Sequence, residues 1–327
     1  MANPKNKIEK ILVVRNDRFG EFLLNIPAFR ALKESFPGSR LTLVVNHYVE
    51  GLAECIDSID NLLIWENRKH KLNEIIKFSK VLKNEKFDLC VILNPSKEFN
   101  IISFLAGIPL RVGYNRKWGF LLNRKTEDRK CLGEKHEIEY NLELVNLVGA
   151  KTENKALSLR VSDDIINGLL GEYGLKSSDN LIAIHPWTSD PIKQWPLVHF
   201  LELIKKMVKE FNLKILIIGG EEQILTSQQL FKDLGKNVID LTGRTTLKEL
   251  AVLLERCKLL ISGDSGPNHL AGAVGVPVIA IFRSDLPTKS STRWGPVSPG
   301  SVVIEKSNLS DISVDEVFDK AKEVLNK

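Results

Sequence analysis

A turn of sequence GDSGPNH, residues 263–269, lies between the apolar run Leu259–Ile261 and a small-residue stretch running to Val274. Ser265 is suited to cap a helix and Pro267 to its first turn. The glycines let backbone approach a ligand closely, and N–H groups near Gly266, Asn268 and His269 are expected to face solvent. A helix start of this kind binds anions, because its first amides lack partners and the helix dipole favours negative charge. A diphosphate would suit it, with His269 adding a hydrogen bond to a phosphate oxygen. The ordinary alternative is a capped strand-to-helix turn with no ligand.

Two further stretches hold chemically useful groups. In IHPWTSDPIKQWP, residues 184–196, prolines and a Lys-x-Trp-Pro step make a long ordered loop after a strand. Lys193 there is a candidate cation for a leaving diphosphate, since a compact ammonium acts as a point charge; otherwise it is a solvated surface lysine. Trp195 reads as packing. In RNDRFGEFLLNIP, residues 15–27, Asp17 and Glu21 flank the junction of a strand and a helix. A carboxylate at that junction can act as a general base, or simply complement the helix N-terminus. Gly20 is the stretch's single glycine, so the three-glycine dinucleotide fingerprint is missing. The sequence has no Gly-x-Ser-x-Gly elbow, no phosphate-binding GxxxxGK[ST] loop and no DxD metal motif. Its six histidines are dispersed, and Asp163-Asp164 reads as a solvated helix start.

These groups need strands that end beside one another. Ile11–Val14, Leu41–Val45 and Leu89–Leu93 read as buried strands, with helices of 3.6 period over Phe22–Phe36 and Leu72–Leu82. The alternation restarts with strands at Leu181–Ile184, Lys214–Ile218, Val238–Leu241, Leu259–Ile261 and Val278–Phe282. Helices are expected at about 197–210, 222–234, 246–256 and 267–274. The fold class is therefore α/β, with two Rossmann-like doubly wound parallel sheets, residues 1–160 and 161–327, facing a cleft. The final helix, 313–327, is amphipathic, with a return to the first domain as one option.

At 327 residues the chain is long enough for two such domains. Four cysteines without a CxxC pair make a structural zinc site improbable, and Cys90 and Cys257 read as buried small hydrophobes. The polar opening MANPKNKIEK has no apolar signal-peptide region, and no apolar run approaches the ~20 residues of a membrane span. A reduced cytosolic protein is the expectation.

Taken in order, these blocks resemble glycosyltransferase family 9, the family of the ADP-heptose:lipopolysaccharide heptosyltransferases. The likeness starts with ILVVRNDRFGEFLLNIPAFRALKESFPGSRLTLVV and continues through FDLCVILNPSKEFNIISFLAGIPLRVGY and HEIEYNLELVNLVGA. It ends with IAIHPWTSDPIKQWPLVHF, LIIGGEEQ, the DLTG block, the GDSGPNH turn and a late WGP. The resemblance implies a GT-B architecture and inverting, metal-independent transfer of heptose from ADP-heptose to a lipopolysaccharide core or similar glycan acceptor. The donor is then a substrate, and no cofactor is required. By family position Glu21 stands where many members have Asp, as the base for the acceptor hydroxyl, with Asp17 as a partner. Lys193 matches the lysine that contacts the diphosphate. Asp264, Ser265, Gly266, Pro267, Asn268 and His269 match the diphosphate and sugar loop, with Thr188 a lesser candidate, and Thr242 and Gly243 fall near the nucleotide base. A same-fold transferase with another nucleotide sugar, and a nucleotide-sugar-binding protein impaired in catalysis, are the alternatives. An oxidoreductase is disfavoured by the missing fingerprint.

Basic residues exceed acidic ones by 46 to 41, too mild an excess to suggest nucleic acid. The whole +5 lies between Arg111 and Lys135, where eight basic residues meet three acidic ones. Arg111, Arg116, Lys117, Arg124 and Lys125 are the candidate acceptor-binding set, with Trp118, Phe120, Leu121 and Leu122 among them to touch an apolar surface. A solvated loop is the plain reading. The sharper one is a dock for a phosphorylated glycolipid, or for the cytoplasmic face of the inner membrane that carries it.

Overall fold

The computed structural model describes residues 7–326, so Met1–Asn6 of the polar opening and the terminal Lys327 lie outside the described residues. The chain forms two compact units. One comprises residues up to Cys131 together with Glu137–Lys155; the other comprises Leu132–His136 together with residues from Ala156 onward. Where the sequence suggests one boundary near 160, compactness thus assigns a five-residue segment of the earlier chain, Leu132–His136, to the second unit.

The first unit is built on β1 (Lys10–Val14), β2 (Arg40–Val45), β3 (Asn61–Ile64), β4 (Leu89–Ile92), β5 (Leu110–Tyr114) and β6 (Arg124–Thr126). They form one parallel sheet in the order β3-β2-β1-β4-β5-β6. The second holds β7 (Leu181–His185), β8 (Lys214–Ile217), β9 (Val238–Asp240), β10 (Cys257–Gly263), β11 (Val278–Arg283) and β12 (Val302–Lys306). Their order, β12-β11-β10-β7-β8-β9, is again parallel throughout. Each is the doubly wound order in which the first strand of the set lies centrally and the chain reverses direction beside it, at β1/β4 and at β7/β10. That reversal opens a crevice at the carboxyl ends of the strands. The central strands are apolar almost throughout because helices cover both faces of a parallel sheet.

The expected helix over Phe22–Phe36 is two helices, Phe19–Leu23 and Ile26–Ser35. Pro27 cannot donate the backbone bond that would continue the first, and Asn25 caps its end, its Nδ2 donating to Glu21 O at 2.6 Å and Phe22 O at 3.3 Å. The break leaves Glu21 on a short, separately anchored turn. At the other end of the chain lies the amphipathic helix Val314–Leu325. Its apolar face, Val317, Phe318 and Ala321, is buried with Trp195 and Phe200 in the second unit's own core.

Gly133 shows how closely Leu132–His136 fits the second unit. It has φ +65°, and a Cβ there would sit 2.0 Å from the carbonyl oxygen of Pro287. Gly133→Ala is therefore expected to destabilise the second unit by about 2–5 kcal/mol, from left-handed backbone strain plus overpacking. Gly149, with φ +82° and nothing within 4 Å of a Cβ, supplies the control: Gly149→Ala should cost only the strain, about 1–2 kcal/mol. Equal losses in thermal unfolding of the two variants would show that the Pro287 contact contributes nothing.

Candidate functional site

In the second unit the site grows from the paired ends of β7 and β10, where Ser262 lies opposite His185. The loop after β7 folds over the end of β10, which is possible because residue 263 is glycine: a Cβ there would lie 3.0 Å from Thr188 Cγ2. Gln194 staples this loop. Its Oε1 accepts from the Thr188 backbone at 3.1 Å, and its Nε2 donates to Pro186 O at 2.5 Å and Trp195 O at 2.7 Å. Asp190 adds an ion pair with Lys289, and Trp195, fully buried, donates from Nε1 to Ile312 O at 3.0 Å. The result is that Lys193 reaches the turn after β10. Its Nζ lies 2.8 Å from Asp264 Oδ2 and donates to Asp264 O at 3.2 Å. Both side chains are largely buried, and burial raises the Asp264 carboxyl while Lys193 opposes the rise.

The helix Gly266–Ala273 begins here. Ser265 sits at its cap in extended backbone but makes no capping bond; its hydroxyl pairs with Ser262 Oγ at 2.7 Å instead. Asn268 is buried rather than solvent-facing: its Nδ2 donates to Gly263 O at 2.8 Å and its backbone N–H to Ser265 O. His269 is buried too, its Nδ1 without a partner among the described residues, and burial depresses its pKa to about 3. It is a neutral imidazole at physiological pH, able to donate or accept one hydrogen bond but not to bring a charge. Thr188, Lys193, Asp264, Ser265, Gly266, Pro267, Asn268 and His269 thus gather at one strand-end crevice. Thr242 and Gly243 follow β9, two strands away from β7, roughly 10 Å across the sheet. The Thr242 hydroxyl points inward to Ser227 Oγ at 3.1 Å, while Gly243, at φ +69°, donates its N–H to Gly219 O. That pair shapes the rim through backbone, not through a free hydroxyl.

In the first unit the loop after β1 is organised by Arg15, a guanidinium only 1% exposed. Its Nε lies 2.6 Å from Asp17 Oδ1, its Nη2 lies 2.7 Å from Glu21 Oε2, and Nη1 donates to Leu93 O at 3.3 Å. Asn46 Nδ2 donates to Asn16 O and Asp17 O and holds the loop from the β2 side. Burial raises the Glu21 carboxyl; Arg15 opposes this, and Asp17 and Glu137 add to it. Glu21 is thus a carboxylate of raised basicity, oriented through one oxygen, with about a third of its side chain open to solvent.

Comparison with known proteins establishes the family of the chain. Residues 75–320 match the model of glycosyltransferase family 9 (heptosyltransferase). The chain belongs to this family. It is therefore a glycosyltransferase, and its fold is GT-B. A Haemophilus influenzae protein provisionally named a glycosyltransferase is 27% identical over 95% of each chain. Among solved structures, a family 9 glycosyltransferase from Veillonella parvula superposes with TM-score 0.86 at 22% identity, covering 98% of this chain and 99% of that one. The Escherichia coli ADP-heptose lipopolysaccharide heptosyltransferase II gives 0.83 at 22% identity, covering 97% and 98%.

In this family 9 chain, the basic segment is a largely exposed stretch interrupted by one short strand. Arg124 and Lys125 lie on β6, the edge strand of the first sheet, where charged side chains also discourage pairing with another chain. Arg111 is engaged within the fold, donating to Leu121 O at 2.9 Å and Ile108 O at 2.5 Å. Arg116 pairs with Asp128 at 2.6 Å, and Lys117 Nζ donates to Pro95 O at 3.0 Å. Leu122 is buried and Leu121 half-buried, so only Trp118 and Phe120 of the four apolar residues stand well out.

Arg15 escaped sequence reasoning, as did a cluster at the ends of β3 and β4. There Trp65 Nε1 donates to Glu98 Oε2 at 3.0 Å, His70 Nδ1 lies 3.1 Å from Glu98 Oε1, and the Trp65 and His70 rings stack at 4.0 Å. Asn16 Nδ2 ties this cluster to the first loop through Trp65 O at 3.3 Å. The one available signal was positional: each residue follows the carboxyl end of a strand.

Proposed function

We propose that this glycosyltransferase moves a heptose from ADP-heptose to a lipopolysaccharide core or similar glycan acceptor, with inversion and without a metal. The observation that carries the donor side is the junction of Lys193 with the start of the helix Gly266–Ala273, a cation and backbone amides at one crevice. In such a transfer the acceptor oxygen bonds to the anomeric carbon as the bond to the diphosphate oxygen breaks. Glu21 takes the acceptor proton, oriented by Arg15 and accompanied by Asp17. The departing electron pair resides on the diphosphate, where Lys193 and the helix amides stabilise it without metal charge. Asp264, Ser265, Gly266, Pro267, Asn268, neutral His269 and Thr188 hold the diphosphate and sugar, and the backbone at Thr242 and Gly243 borders the nucleotide base. Similarity to the E. coli ADP-heptose lipopolysaccharide heptosyltransferase II supports this choice of donor.

Arg116, Lys117, Arg124 and Lys125 are proposed to receive the phosphorylated acceptor glycolipid, with Arg111 holding their segment. Such an acceptor places the enzyme in the cytoplasm, in peripheral contact with the inner membrane. Melting of the protein with ADP-, UDP- and GDP-sugars tests the donor: at about 100 times Kd the true donor stabilises the fold by about 2.7 kcal/mol. A shift with ADP-heptose alone is expected, and no shift with any of the sugars would sink the reading. Charge reversal at Arg116, Lys117, Arg124 and Lys125 should keep that shift and weaken transfer to a core acceptor. Equal loss of both would reject the acceptor assignment.

A further inference from the structure

The first unit holds two large aromatic rings out into solvent on strained backbone. Trp118 and Phe120 are 47% and 70% exposed, with ring centroids 5.8 Å apart. Phe104 and Leu105, at the end of the helix Lys97–Leu105, are 50% and 45% exposed. Single exposed apolar side chains are ordinary, whereas a cluster of rings marks an interaction surface. Lys117 and Trp118 are consecutive non-glycine residues in left-handed backbone, at φ 49° and 72°. Bulky residues take that conformation only where their surroundings impose it. Asn100 imposes it here: buried, it donates from Nδ2 to Lys117 O at 2.9 Å. Gly119 then passes so near Tyr114 that a Cβ would lie 3.0 Å from its carbonyl oxygen.

Cations accompany the rings. The Lys97 ammonium lies 4.3 Å from the Trp118 ring centroid, and the Arg111 guanidinium 5.6 Å from that of Phe104. Lys125 stands exposed on β6, two strands away from the strand preceding that helix. Aromatic rings interleaved with cations match the headgroup level of an anionic bilayer, where the amphipathic Trp118 ring suits the interface, Phe120 enters the apolar side and the ammonium meets lipid phosphate.

We propose that Trp118 and Phe120 insert as a wedge into the headgroup region of an anionic membrane, with Lys97 and Lys125 on lipid phosphates. This rests on the peripheral placement proposed above and names the side chains that make it. The full-length protein should sediment with vesicles of phosphatidylcholine carrying about a quarter phosphatidylglycerol, bind weakly to phosphatidylcholine alone, and show tryptophan quenching by brominated lipid. Trp118→Gly/Phe120→Ser is the informative variant, because glycine relieves the left-handed strain and preserves the loop. It should melt no lower than wild type, partition about tenfold more weakly and lose the quenching. Wild-type partitioning and quenching in the variant would overturn the wedge, and so would a wild-type protein that ignores anionic vesicles. The melting shift with ADP-heptose, measured on both proteins, should be equal; its absence from both counts against the donor reading alone.

Discussion

Glu21→Gln is expected to lower turnover of ADP-heptose by about 10²–10⁴-fold, the usual contribution of a positioned general base, while leaving the donor-induced melting shift intact. Glutamine keeps the length of the side chain and an oxygen for Arg15 Nη2, which lies 2.7 Å from the carboxylate, so the turn should hold its shape. The amide cannot take a proton from the acceptor. Wild-type turnover in this variant would remove Glu21 from the mechanism. The pH profile gives a second readout. A base works deprotonated, so activity rises with pH through its pKa. Because burial holds the Glu21 carboxyl above its ordinary value, the acid limb of kcat/KM should lie above the ordinary carboxylate range. Arg15→Met removes the cation that opposes burial and should push the limb higher still. A limb that moved down would contradict the assignment of Arg15 as the residue that positions and tempers Glu21.

Lys193→Met should cost about 10²–10³-fold in turnover, the scale of one lost electrostatic contact to a developing oxyanion. It also leaves Asp264 buried without its partner, and breaking a buried pair from one side typically costs about 3–5 kcal/mol. The two effects separate in Lys193→Met/Asp264→Asn, where no lone charge remains. That double variant should recover much of the melting temperature and little of the turnover. Recovery of both would make the ion pair a purely structural clasp. On the proposed donor site, Asp264 holds the ammonium that the diphosphate would claim, so donor binding would exchange one anion for another at Lys193.

The central strands were legible because strands covered on both faces read as unbroken apolar runs, as ILVV and VIAIF do. Asn61–Ile64, Leu110–Tyr114, Arg124–Thr126 and Val302–Lys306 were not, since they are short or partly exposed and carry charged, polar or glycine residues that read as loop. Helical period suggested one helix over Phe22–Phe36 and passed over the break that Asn25 and Pro27 impose. The loops bearing Glu21, Lys193 and Asp264 could be picked out because each follows a recognisable strand. Their connections could not. Arg15 looks like any charged strand end until its burial is seen, and Trp65, His70 and Glu98 meet only through the sheet order. Ser265 had the right residue type for a cap, but its hydroxyl finds Ser262 first.

The five residues Leu132–His136 bear on how the protein could be divided. Gly133 lies against Pro287, and His136 Nε2 sits 3.0 Å from Gly295 O, so part of the second unit's surface is completed by chain that precedes Glu137. A fragment beginning at Ala156 would hold the second unit's main body yet lack this pentapeptide. The backbone passes between the units three times, at 131–132, 136–137 and 155–156. No single cut yields two whole domains, and any exchange of the second unit between relatives must carry the pentapeptide along with it.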